Sequence, residues 1–589
     1  MKKVSAIGYF KKYLAPYWRG IIVVIIFTLI SDGFQVLAPM YMGRAITSLS
    51  HYVSLYRQTG SASMGAFNHN LLLMMVYYLG TSITLLIAWL VTTRFNAYAN
   101  NDMRINLFKK FQRMTIKYFD THQDGKLLSL FTSDLDNIFN ALNNAIFEIV
   151  SQVALFIGTI IMMLVVNVQL ALITMAMTPL VIIIALVMMR KSRHYIDIQQ
   201  DQIGSLNGYI NEQINGEKVI ITNGLQKESI AGFKKHNDQV RKAMFKGQLY
   251  SGMLNPLLQG LSYLNLAIVI AAGSYIVVSG NIAKAVGLGL IVTFVQYSQQ
   301  YFQPLTSLAS IYSSIQLALT GAKRISKIEV QPEEDPVADG KKLEGIKKEI
   351  AVDDVHFGYN PDKEILHGVS LDLPKGKMLA LVGPTGSGKT TVMNLFNRFY
   401  DVNSGAVKID GTDVRDLTLK SLRSKIGIVL QDSVLFTGTV ADNIKFGKPE
   451  ASDEEMIEAA KQANIHDYIV SLPDGYQTKV DGNQSIFSTG QKQLISIART
   501  LLTDPDFLIL DEATSNVDTV TEAKIQQAMD NIISGRTSFV IAHRLKTIIN
   551  ADKIAVLKDG NVIEYGTHEE LLKKKGFYYE LYTNQMVLE

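Results

Sequence analysis

The chain has 589 residues, 48% of them hydrophobic, a net charge of +4 and no cysteine. That length exceeds a single ordinary core and predicts two or more domains, and the lack of cysteine excludes disulfides, thiolate metal sites and cysteine nucleophiles. The small charge, with no basic stripe interleaved with aromatics, argues against a nucleic-acid partner.

Long uncharged runs fall almost entirely before residue 323. Residues 1–19 are basic and amphipathic with no small-residue cleavage site after their first apolar run, which predicts an interfacial helix leading into a membrane span. Residues 20–46, 71–93, 254–278 and 286–314 are each long enough to cross about 30 Å of hydrocarbon. Residues 149–189 are uncharged and twice the length of one crossing, with a polar turn at Asn167 and Gln169. The count is six spans in a membrane domain at 20–323. Segments 94–147 and 190–246 carry 7 and 10 Lys/Arg, whereas the loops 47–70, 167–169 and 280–285 hold only Arg57 and Lys284. The positive-inside rule puts both long segments and both termini in the cytoplasm. These segments are helix-forming, so the membrane helices are expected to extend well below the bilayer.

Two intramembrane features are candidates for function. Asp32 falls near the middle of the first span, where an ionisable group is costly and usually faces protein or water; a structural hydrogen bond to a neighbouring helix is the alternative. In the sixth span Thr293, Gln296, Gln299, Gln300, Gln303 and Ser307 recur at three- and four-residue spacing, with Tyr297, Tyr301 and Phe302 beside them. This places amides and hydroxyls on one helical face. The face either lines a cavity or glues helices together.

After Lys323 the character changes. Residues 324–347 form a charged, proline-containing linker, and 348–589 alternate strand-like and helical runs, which predicts a soluble α/β domain. Strands are expected at 348–357, 378–382, 426–430, 507–510, 538–541 and 553–557. Directly after the second comes Gly383, Pro384, Thr385, Gly386, Ser387, Gly388, Lys389, Thr390, followed by Thr391. The spacing is G-x-x-x-x-G-K-[ST] at a strand-to-helix junction, where backbone N–H groups and a helix N-terminus surround a triphosphate. Lys389 reaches the β/γ-phosphates in such a loop and Thr390 ligates Mg²⁺. The run 507–510 ends in Asp511 and Glu512, suited to holding Mg²⁺ or its water and to activating an attacking water.

On these residues the whole chain resembles the ATP-binding-cassette transporter superfamily. The discriminating sequence is Phe487, Ser488, Thr489, Gly490 and Gln491, followed by a run to Arg499 and then the Asp511–Glu512 strand. It resembles the family's signature ahead of its Walker B strand. The resemblance implies that Tyr359 stacks on adenine, that Gln431 is the Q-loop glutamine and a metal contact, that residues 515–518 form the D-loop and that His543 is the switch histidine. It implies ATP and Mg²⁺ as ligands, with Glu512, His543 and Gln431 as the catalytic set. It further implies that Ser488, Gly490 and Gln491 act on the ATP of a second cassette, so the chain resembles one half of a transporter.

Six spans ahead of one cassette resemble the type IV exporter architecture. The family's coupling regions would fall at Tyr118 and the residues after it, and around 211–220. Thr489 replaces the commonest signature glycine, and the run Val480, Asp481, Gly482, Asn483, Gln484 ahead of it lacks the family's usual Val-Gly-Glu. With Glu512 kept, this resembles the intact-Walker-B subunit of a bacterial heterodimeric multidrug exporter, whose partner lacks that glutamate; a homodimer is the alternative. The expected activity is ATP-driven export of drugs or other amphipathic compounds across the bacterial cytoplasmic membrane. A lipid flippase shares every motif, and a nucleotide-gated channel or sensor is the reading from a different class. Asp32 with Gln296, Gln299, Gln300 and Gln303 is the candidate substrate cavity.

Overall fold

The computed structural model describes residues 5–122, 124–279, 284–334, 340–360, 362–431, 433–481, 486–511, 518–542 and 545–586. The chain divides into two compact units, Met1–Arg113 with His122–Gln331, and Met114–Thr121 with Pro332–Glu589.

The first unit is helical. It holds α1 (Ala6–Leu14), α2 (Trp18–Thr59) and α3 (Gly65–Phe111); α4 (Ile116–Thr121) belongs to the second unit. Then come α5 (Asp124–Ser129), α6 (Leu135–Val166), α7 (Val168–Ala176), α8 (Thr178–Asn215), α9 (Glu217–Thr222), α10 (Gln226–Gly252), α11 (Leu254–Val278) and α12 (Lys284–Glu329). Among the described residues, 5 helical stretches are long and apolar enough to cross a membrane: Ala6–Thr59, Gly65–Phe111, Gly125–Val166, Val168–Asn215 and Gln226–Val278. The expected sixth crossing lies in α12, whose 46 residues are long enough and whose glutamine row dilutes its apolar character. The polar turn at Asn167 is a single residue: its side chain accepts from Leu170 N and caps α7, so α6 and α7 reverse with almost no loop.

Proline and glycine set how α2 meets α12. Pro39 lies inside α2 and has no N–H, which leaves the carbonyl of Gln35 without its helical donor. Gln300 of α12 donates its amide to Gln35 O at 3.2 Å, and the Tyr297 hydroxyl donates to Val36 O at 3.0 Å. One turn away, a Cβ on Gly43 would strike Thr293 Oγ1, and a Cβ on Gly289 would strike the carbonyl of Gly43. Small residues let the two backbones touch, a habit of membrane helices.

The second unit is built on two main sheets. Its strands are β1 (Glu349–Phe357), β2 (Leu366–Pro374), β3 (Met378–Val382), β4 (Ser404–Ile409), β5 (Thr412–Asp413), β6 (Ile426–Val429), β7 (Gly438–Thr439), β8 (Lys479–Val480), β9 (Phe507–Asp511), β10 (Thr537–Ile541), β11 (Lys553–Lys558) and β12 (Asn561–Gly566). The large sheet has the order β12-β11-β3-β10-β9-β6, parallel except for β12; β2-β1-β4-β5 is antiparallel, and β7 pairs with β8. Every residue of β3 is buried because both sheet faces are covered. Leu379 and Leu381 enter one core with Val392 and Phe396, while Met378, Ala380 and Val382 enter the other with Leu494 and Ile525.

The six expected strands match β1, β3, β6, β9, β10 and β11 to within a residue or so. The chain order gave no notice of β2, β4 and β12, which are antiparallel strands with alternating burial: in β2, Leu366, Val369, Leu371 and Leu373 are buried and the residues between them are not. Asp410 and Gly411 turn β4 into β5 with φ of 51° and 77°, the mirror-image turn that Asp-Gly favours.

Candidate nucleotide site

The carboxyl ends of four adjacent parallel strands, β3, β10, β9 and β6, form one edge of the large sheet. The loop 383–388 leaves β3, Asp511 ends β9, and Gln431 lies two residues past β6. Open α/β sheets bind ligands at such an edge.

The loop is shaped by its glycines. A Cβ on Gly383 would strike the carbonyl oxygen of Leu557, and Gly388 caps α13 (Lys389–Phe396) at φ 106°, where a Cβ would meet Leu366 at 2.8 Å. Gly386 has φ 83° and open space beside it, so the loop's crown is clear for a ligand. Lys389 is buried and donates from Nζ to the carbonyls of Gly383 and Pro384 at 2.7 and 3.0 Å. Burial pushes its pKa below the usual lysine range, and Asp511 acts in the opposite sense. Ser387 is buried with no hydrogen-bond partner for its Oγ among the described residues. A cation, an orphaned hydroxyl and a helix N-terminus in one loop fit a phosphate chain.

Thr391 is buried at the start of α13 and accepts from the Tyr359 hydroxyl at 3.3 Å, while Asn394 donates to that hydroxyl at 3.1 Å. The Tyr359 ring meets those of Phe357 and Tyr400 edge to face, with centroids 5.1 and 4.9 Å apart. Tyr400 in turn donates to Asp120 on α4 at 2.6 Å. Burial raises the Tyr400 pKa well above the usual phenol range, and Asp120 raises it further. Asp120 falls in the coupling region expected from Tyr118 onward, whereas Tyr400 belongs to no motif and sequence reasoning passed over it.

Thr390 and Gln431 are exposed, and with Asp511 they offer a single carboxylate. Among the described residues no group of three His, Cys, Asp or Glu could hold a metal. The oxygen donors of Thr390, Gln431 and Asp511 are of the kind that suit Mg²⁺, which keeps waters and substrate phosphates as its other ligands. Glu512 and His543 lie outside the described residues, as do 515–517.

Ser488 begins α18, reached through α14 (Leu419–Arg423), α15 (Val440–Ile444), α16 (Asp453–Gln462) and α17 (His466–Ser471); α18 itself spans Thr489–Thr503. Ser488 Oγ accepts from Gln491 N at 3.3 Å and Gln491 Oε1 accepts from Ser488 N at 2.9 Å. This is a capping box, and its S-x-x-Q spacing was legible in the sequence. It leaves the Ser488 hydroxyl proton free to donate, with Gly490 buried behind it. Arg499, three turns on from Ser488, donates to the carbonyl of Asn443 at 2.8 Å and lies over Phe436 and Phe446, whose rings stack 4.3 Å apart. The segment after Gln431 is thus clamped to the signature helix.

In the helical unit the candidate cavity residues divide. Asp32 is buried, with Oδ1 accepting from Ser151 of α6 at 2.8 Å, and Gln300 closes the gap at Pro39. Gln299 and Gln303 are exposed and Gln296 is partly so. The one face read from sequence is therefore two: a row turned to α2 and a row at the unit's surface.

Two family models match the chain: ABC transporter transmembrane region over residues 21–305 and ABC transporter over 366–515. The chain is 40% identical over 575 residues to the uncharacterized ABC transporter ATP-binding protein YfiC of Bacillus subtilis, covering 97% of this chain and 93% of that one. It is 40% identical over 479 residues to a fatty acid ABC transporter ATP-binding/permease protein of Mycobacterium bovis, covering 81% and 75%. At 35% and 36% identity, and 82% of this chain, it resembles an ATP-dependent lipid A-core flippase of Syntrophus aciditrophicus and a putative multidrug export protein, YgaD, of Bacillus subtilis, covering 80% and 83% of these. Among solved structures, a bacterial Atm1-family ABC exporter with ATP bound matches with a TM-score of 0.76 at 28% identity, over 97% of this chain and 99% of that one.

Proposed function

The chain belongs to the ABC transporter family as a type IV exporter with a membrane domain fused to an ATP-hydrolysing one, and from that premise we propose that it moves drug-like or other amphipathic compounds outward across the cytoplasmic membrane as one half of a dimer. The observation that carries the ATP assignment is the loop 383–390 with its buried Lys389 and orphaned Ser387 hydroxyl, set beside Asp511 at one sheet edge.

In this reading Lys389, Ser387 and the N–H groups of the loop and α13 bind the phosphates, and Tyr359 presents its ring to the adenine. Thr390, Asp511 and Gln431 would hold Mg²⁺, which when bound screens the phosphate charges. Glu512 takes a proton from the attacking water, and His543 stabilises charge in the transition state. Ser488 and the N-terminus of α18 donate to the ATP of the other half. Coupling is supported by the path from Tyr359 through Tyr400 to Asp120, because α4 continues in the chain into the long helix α3 on one side and α6 on the other. The surface row of Gln296, Gln299 and Gln303 is the proposed substrate face, and Asp32 a buried polar group of the same membrane region.

Thr489 at the first position of α18 adds bulk where a neighbouring ATP would approach, which supports the pairing with a different subunit that lacks the Walker B glutamate. A lipid substrate is the second reading, favoured by the fatty-acid and lipid A names of two relatives. Reconstituting the chain with and without its candidate partner, and following a fluorescent dye and a fluorescent lipid in the same vesicles, tests both. Full-rate transport by this chain alone removes the heterodimer, and movement of lipid without dye replaces the drug reading.

A further inference from the structure

The turn that carries Tyr359 is tied at its root by a bridge that no motif announces. His356, next to the end of β1, and His367, near the start of β2, are cross-strand partners, and Glu364 folds back to both. Its Oε1 lies 2.6 Å from His356 Nδ1 and its Oε2 3.2 Å from His367 Nδ1. One carboxylate thus accepts from both strands at once. The hydrogen bond from His356, with that from His367 beside it, holds the Glu364 pKa below the ordinary glutamate range. Asp354 stands at the other ring nitrogen of His356, 3.7 Å from Nε2.

The side chains of His356, His367 and Glu364 are 38%, 41% and 44% exposed, so as ion pairs they add little to stability. What the bridge restrains is the turn. Just beyond it the two limbs touch, because a Cβ on Gly358 would strike the carbonyl of Lys363, and Gly358 N donates to Asn403 Oδ1 at 3.3 Å. Tyr359 follows directly. The bonds from Tyr359 to Thr391 and from Asn394 hold only its hydroxyl, at the tip of the ring; the backbone behind the ring is held from Glu364. The phosphate loop is fastened by other means. His367 N donates to Gly560 O at 2.9 Å and Gly560 N to Ser387 O at 3.2 Å, main-chain bonds that do not involve the side chain of residue 364.

We infer that Glu364 is a positioning residue for the base end of the ATP site: by bridging His356 and His367 it sets the turn so that the Tyr359 ring is in place before nucleotide arrives. Ordering a loop in advance raises affinity by sparing the ligand that cost. The bridge acts through Tyr359 alone and leaves the phosphate loop and the hydrolytic groups as they are. Glu364 has this role only if Tyr359 is the adenine platform proposed above, and the Tyr359→Ala variant separates the two.

The test is steady-state ATPase kinetics of the assembled transporter, with inorganic tripolyphosphate as a competitive inhibitor that has phosphates and no base. Glu364→Ala is expected to raise KM for ATP about three- to tenfold, the size of one or two hydrogen bonds, with kcat within about twofold of the wild type. Glu364→Gln, which keeps an acceptor, should recover part of the loss. Inhibition by tripolyphosphate should not change, and Glu364→Ala should add nothing further to KM in a Tyr359→Ala background. Asp453→Asn removes an equally exposed carboxylate, 2.7 Å from Lys445, and should leave KM as it was. A KM unchanged in Glu364→Ala but raised in Tyr359→Ala, losses that add in full, weaker tripolyphosphate inhibition in Glu364→Ala, or an equal rise in Asp453→Asn each overturns the proposal. An unchanged KM in Tyr359→Ala instead removes the adenine platform, and the role of Glu364 with it.

Discussion

Ser387 separates the claims of stability and function at a single atom. Its buried hydroxyl has no partner among the described residues, and an unsatisfied buried polar group costs about 1–3 kcal/mol. Ser387→Ala is therefore expected to leave the nucleotide-free melting temperature unchanged or higher, and to weaken ATP binding about tenfold; a melting curve with and without ATP reads both. Asp410 gives the opposite case. Burial works against its charge, yet the N–H groups of Lys347, Lys348 and Glu349 donate to it at 2.8, 2.6 and 3.0 Å and hold its pKa below the ordinary value. A carboxylate whose folded pKa is lowered stabilises the fold above its unfolded pKa, about 3.9, and stops doing so as pH falls through the folded value. Asp410→Asn should therefore lower the melting temperature at pH 7 and converge with the wild type as the pH is taken below about 4. The phosphate loop was legible from spacing alone because its chemistry demands glycine at fixed offsets. Tyr400 and its bond to Asp120 were not, since a contact between residues 280 positions apart leaves no local pattern.

Between elements, the glutamine row shows why a face read from helical spacing misleads. A stripe six residues long at three- and four-residue steps is wide enough to meet two neighbours, and Pro39 on another helix decides which members are used. Gln300→Leu strips Gln35 O of its donor and is expected to destabilise by about 1–3 kcal/mol, while Gln299→Leu, at an exposed position, should leave the melting temperature within experimental error and alter the substrate profile. Tyr400→Phe keeps the rings packed and deletes the bond to Asp120. If that bond carries coupling, ATP hydrolysis persists and transport per ATP drops severalfold, as simultaneous ATPase and uptake assays would report; equal loss of both would make Tyr400 part of the nucleotide site alone. The buried parallel strands were legible as apolar runs. The antiparallel strands β2, β4 and β12 were not, because half-covered strands alternate and look like loops.

At the scale of the molecule, the proposed ATP site, made in part by each half, is fused to a domain of membrane-crossing helices. Composition announced that division, with uncharged runs before residue 323 and an α/β pattern after it. What no single chain encodes is the partner, because in the proposed arrangement Ser488 and Gly490 serve the ATP of the other half and the groups that complete this chain's own site come from there. The central claim is that hydrolysis at the loop 383–390 drives export, and Glu512 carries it as the general base. In inverted vesicles holding the assembled transporter, Glu512→Gln should bind ATP as the wild type does, while ATP turnover and dye accumulation both fall by about 10²–10⁴, the contribution of a positioned base. Turnover and accumulation at wild-type rates in that variant would contradict the account.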